Sequence, residues 1–82
     1  MRNNQLNLKK ELEERLFTNQ SPTELILKDG TLISIEPYNN QIDVWSHETG
    51  VLKFKSIEEF LNNFVIKGIK FKKLISEIES IY

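Results

Sequence analysis

The sequence predicts an α+β domain: a four-stranded antiparallel β-meander with one N-terminal helix and two C-terminal helices. Three observations carry that prediction. Apolar residues recur at helical spacing before Thr23, alternate from Thr23 to Lys55, and return to helical spacing after Ser56. Between two apolar runs stands Asp29-Gly30, a strong short-range hairpin signal. Ser56-Ile57-Glu58-Glu59 has the spacing of a capping box, with a hydroxyl at the cap and a carboxylate three residues on.

The first helix is expected over residues 6–17. Leu8, Leu12 and Leu16 share one face with Phe17 beside them, and Glu11 and Arg15 form an i,i+4 pair in the favourable order. Asn19-Gln20-Ser21-Pro22 ends it. Strands follow at 25–27, 31–36, 41–46 and 51–55, separated by turns at Asp29-Gly30, Pro37–Asn40 and His47–Gly50. A helix opened by Ser56 carries Ile57, Phe60, Leu61 and Phe64 on one face, and Gly68 breaks the chain. A last helix is expected from Lys70, because Phe71, Leu74, Ile75, Ile78 and Ile81 fall at helical offsets.

Turn geometry then assigns the faces of the sheet. A two-residue loop at Asp29-Gly30 sets Leu27 opposite Leu32 and Ile26 opposite Ile33, and one at Asn39-Asn40 sets Ile35 opposite Val44. Pairing His47 with Val51 puts Phe54 opposite Val44. One face collects Ile26, Ile33, Ile35, Ile42, Val44, Leu52 and Phe54, a core for the C-terminal helices to cover. The other collects Leu25, Leu27, Leu32, Ser34, Trp45, His47, Val51 and Lys53. Two arrangements compete for this second face. The N-terminal helix covers it in a three-layer domain, the commoner outcome for a helix with an apolar stripe. Otherwise the face stays open and binds a partner through Trp45, Leu32, Leu25 and Leu27.

The 82 residues suit a single domain spanning 1–82. With no cysteine there is neither a disulfide framework nor a thiolate metal site. No apolar h-region follows Met1–Gln5, and no run approaches the roughly 20 apolar residues of a membrane span, so a cytoplasmic protein without membrane contact is expected. His47 is the only histidine and lies in a turn. No nucleophile elbow, phosphate-binding glycine loop or nucleotide fingerprint is present. Glu36 and Asp43 are expected to be cross-strand neighbours, a pair more often solvated than catalytic. The sequence thus points to no catalytic residue, no metal and no cofactor.

Charge is unevenly distributed although the net charge is −1. Residues 24–50 are acidic, whereas residues 51–74 hold six lysines against two glutamates. Lys67, Lys70, Lys72 and Lys73 crowd the start of the expected last helix, where the helix dipole disfavours cations. They form a candidate basic patch for an anion or an acidic partner.

A small non-catalytic protein-interaction module is the function expected, with a protein partner or a second copy of the chain. The absence of alanine and the nine lysines to two arginines resemble coding by an AT-rich genome. That composition and the small size suggest an inhibitor, immunity or anti-defence protein of a phage or mobile element. The alternative is a nucleic-acid-associated module using the basic segment 53–73, disfavoured by the near-neutral charge and scarce arginine.

Overall fold

The computed structural model describes residues 4–82. Residues 1–3, part of the segment without a secretory h-region, lie outside the described residues. Helix α1 runs over Asn4–Glu13 and continues as one π-helical turn, Glu14–Thr18. Strands β1 (Thr23–Leu27), β2 (Leu32–Tyr38), β3 (Gln41–Ser46) and β4 (Gly50–Phe54) follow, then helix α2 (Ile57–Asn63). A two-stranded ribbon, β5 (Val65–Ile66) and β6 (Ile69–Lys70), leads to a final strand, β7 (Ile78–Ile81). The main sheet is antiparallel and five-stranded, in the order β4-β3-β2-β1-β7. The α+β class holds, with one strand more in the main sheet, a separate two-stranded ribbon and one helix fewer than the sequence suggests.

The expected last helix is the first correction. Phe71–Lys73 and Ile75–Glu77 are single 3-10 turns, and Ile78–Ile81 pairs with β1. The register explains the misleading spacing. Leu25 faces Ile81 and Leu27 faces Ile78, so two steps along β1 match three along β7. A β-bulge absorbs the extra residue and places side chains three apart on the same face, which in the sequence imitates a helix. The β-branched isoleucines suit that strand.

The β1–β2 hairpin is the second correction. The Leu27 N–H donates to the Thr31 carbonyl, and the Gly30 N–H donates to the Leu27 carbonyl, both at 2.9 Å. The loop is therefore Lys28-Asp29-Gly30, three residues with Gly30 at φ +93°. The Asp29 carboxylate fixes it by accepting from the Thr31 N–H at 2.9 Å and the Thr31 hydroxyl at 2.7 Å. One extra loop residue slips β1 by one position and reverses its faces. Leu25 now opposes Ile33 and is buried with Leu27 and Thr23, while Ile26 opposes Leu32 on the other side and is half-buried.

Between β2 and β3 the expected register stands: Asn39 and Asn40, at φ +53° and +62°, make the tight turn, and Ile35 opposes Val44. Between β3 and β4 the pairing differs by two residues, with Ser46 opposite Gly50 and Ile42 opposite Phe54. A shift of two preserves the faces, so Phe54 stays inward. Buried Ser46 is satisfied within the turn, its hydroxyl lying 2.7 Å from that of Thr49 and accepting from the Thr49 N–H.

Both helices pack on the same side of the sheet, which is the third correction. Leu8, Leu12 and Leu16 join Leu25, Leu27, Ile33, Ile35, Ile42, Val44 and the residues of α2 in one continuous core. The expected three-layer arrangement is thus a two-layer one. Turning Leu25 and Leu27 inward leaves only Ile26 in their place on the outer face and adds their apolar surface where α1 already lies. Phe54, Phe60, Phe64 and Phe71 form the aromatic heart of this core, Phe54 meeting Phe60 edge-on at 5.7 Å between centroids. At the start of α2 the Ser56 hydroxyl accepts from the Glu59 N–H at 3.0 Å. The Glu59 carboxylate reaches back one residue past the cap, to the Lys55 N–H at 2.7 Å.

Candidate functional site

The open face of the sheet is built by alternate residues of its strands, row by row. In the central row Trp45 stands between Val51 on β4 and Ser34 on β2, with Glu24 beyond on β1. A second row holds Leu32, Ile26 and Ser80. A third holds Glu36, Asp43 and Lys53. Trp45 is 39% exposed and Val51 57%, large for apolar side chains in the middle of a strand, and none of the described helices lies over them. Leu52 belongs to the inner face but is also exposed, because β4 is an edge strand with nothing packed beyond it.

The charges on this face are partly spoken for. The Lys53 ammonium group donates to Asp43 Oδ1 at 3.1 Å and sits 5.7 Å from the centre of the Tyr38 ring. Glu36 and Glu24 are exposed, and among the described residues neither has an ion-pair partner. Two recesses flank Trp45. One, about 260 Å³, is lined by Ser34, Glu36, Asp43, Trp45 and Val51. The other, about 360 Å³, lies toward the turns, where Leu32, Trp45 and Ile66 form apolar walls beneath His47, Glu48 and Lys67.

Of the residues expected to bind a partner, Trp45 and Leu32 lie together on this open face. Leu25 and Leu27 do not: the three-residue turn puts them in the core, at 0% and 3% exposure. Ile26 takes their place opposite Leu32. The signal that could have found it is Thr31, whose hydroxyl and N–H close on Asp29 and lengthen the loop by one residue.

The candidate basic residues Lys67, Lys70, Lys72 and Lys73 are all exposed, but they do not open a helix. The unfavourable helix dipole therefore does not arise. Lys67 occupies the ribbon turn with Gly68, both at positive φ, and is tied down twice. Its ammonium group pairs with Asp29, and its N–H donates to both Glu48 carboxylate oxygens at 3.0 and 3.1 Å. Lys73 shares a shallow cleft with Asp29, Lys67 and Glu77. Lys67 and Lys73 are thus interleaved with carboxylates.

His47 is exposed in the β3–β4 turn. Among the described residues no group of three or more His, Asp or Glu side chains is placed to hold a metal ion. No helix among them is long and apolar enough to cross a membrane. Comparison with protein-family models, with curated proteins and with solved structures gives no match.

Proposed function

We infer that this chain is a small non-catalytic protein-interaction module whose partner docks on the open sheet face around Trp45. The observation that carries the reading is the pairing of Trp45 with Val51, both exposed, on a face that neither helix covers. Water-exposed aromatic and aliphatic side chains grouped on a rigid sheet are the usual centre of a protein interface, and tryptophan is prominent among the residues that dominate binding energy. Tyr38 and Glu36 provide a polar rim. The small size and lysine-rich, alanine-free composition suit an inhibitor, immunity or anti-defence protein of a phage or mobile element acting in the cytoplasm.

Affinity capture with matched baits tests the reading. The wild-type chain retains a partner that Trp45→Ala and Val51→Asp lose and that Lys70→Glu/Lys72→Glu keeps. Both face positions are exposed, so circular dichroism of the variants is expected to match the wild type. Equal retention by the face variants, or loss confined to the lysine variant, contradicts it.

A further inference from the structure

Resting on that reading, we propose that the occupant of the open face is an extended segment of a partner protein that places an arginine or lysine beside apolar side chains. The recess between Trp45 and the carboxylates of Glu36 and Asp43 receives the cation.

Charge complementarity is the first argument. Glu24 and Glu36 stand on the open face without ion-pair partners among the described residues, and Lys53 alone offsets Asp43. An apolar band bordered by surplus negative charge selects a partner with positive charge around an apolar anchor.

The second argument is local chemistry. A guanidinium or ammonium group within about 6 Å of an indole ring is attracted by the ring's negative face, and carboxylates beside it strengthen the contact. The protein already makes one such arrangement next door. Lys53 is held by Asp43 and lies over the Tyr38 ring. Glu36, opposite Asp43 on β2, and Trp45, one row on, repeat an acid-and-ring pair with the cation left to a partner.

Size favours a narrow occupant over a globular one. Five strands at ~4.8 Å spacing and ~20 Å of strand length give a face of ~480 Å². A stable globular partner or a dimer buries about 800 Å² on each side. An extended segment fits the area and lies across β2, β3 and the edge strand β4, whose residues line the recess.

The test uses the full chain and two synthetic capped hexapeptides of alternating residues, Val-Arg repeats and Val-Gln repeats. Binding is followed by the Trp45 indole N–H resonance. The Arg peptide shifts that resonance, and the Gln peptide binds about tenfold more weakly, the range expected when a charge-assisted contact is lost. Glu36→Gln, a change at an exposed site, removes most of the difference, and added salt diminishes it. Equal affinity for the two peptides overturns the proposal and leaves the docking reading standing. No shift with either peptide overturns it also, as does concentration-dependent self-association that shields Trp45. Failure of the docking reading itself shows separately, as equal partner capture by the wild type and Trp45→Ala.

Discussion

The ammonium group of Lys67 is ion-paired with the carboxylate of Asp29, joining the ribbon turn to the β1–β2 turn. Asp29 already holds its own loop through Thr31, and Lys67 is also fixed by Glu48 in the β3–β4 turn. Three turns far apart in sequence are thereby gathered at one end of the sheet. Because the ion pair is exposed, it contributes at most about 1 kcal/mol. Lys67→Asn, which tolerates the positive φ, is expected to cost less than that in urea denaturation. Glu48→Ala leaves the Lys67 N–H without its acceptor and is expected to cost about 0.5–1.5 kcal/mol. A Glu48→Ala loss above about 3 kcal/mol contradicts a merely local clasp.

The register of β1 has a direct energetic signature. Leu25→Ala removes a fully buried side chain and is expected to cost about 2–5 kcal/mol, whereas Ile26→Ala, on the half-buried open face, costs clearly less. The reverse order in equilibrium unfolding contradicts the three-residue loop.

Phe54 anchors the aromatic core from the edge strand, against Phe60 and Phe64. Phe54→Ala is expected to cost about 3–5 kcal/mol, a large part of the stability of a chain this short. A loss below about 1 kcal/mol places Phe54 outside the core.

The sequence is informative where one local device determines the outcome. The Asn39-Asn40 turn, the capping residue Ser56 and the leucine stripe of α1 are each set by neighbours in the chain, and each forms as the residues suggest. It misleads where a single inserted residue changes parity. The extra residue in the β1–β2 loop exchanges Leu25 and Leu27 for Ile26 on the open face, and the bulge in β7 makes Ile78 and Ile81 look helical. Trp45 and Leu32 were legible as candidate site residues because β2 and β3 are joined by a turn whose length the asparagines specify. The covering of the second face was not legible. It depends on where Leu25 and Leu27 point, and so on that same inserted residue.

The lysine-rich end is expected not to support general nucleic-acid binding, since Lys67 is engaged and Lys73 lies beside Glu77 and Asp29. Duplex DNA and single-stranded RNA should migrate unretarded in its presence at low salt. Retardation that weakens steeply with salt, by about 0.9 in log K per log unit of salt for each duplex phosphate contacted, and that disappears in Lys70→Glu/Lys72→Glu favours the nucleic-acid reading instead.

The sheet face bearing Trp45 is left uncovered by the protein's described helices. Trp45 is the only tryptophan, so its fluorescence reports that face alone. In the 82-residue chain at low concentration, red-shifted emission and ready quenching by acrylamide and iodide are expected. Loosening α1 through Leu8→Ser should lower stability without making the folded state's Trp45 more quenchable. A blue-shifted, protected Trp45 that becomes quenchable when α1 is perturbed contradicts this arrangement, because it places the helix over the face assigned to a partner.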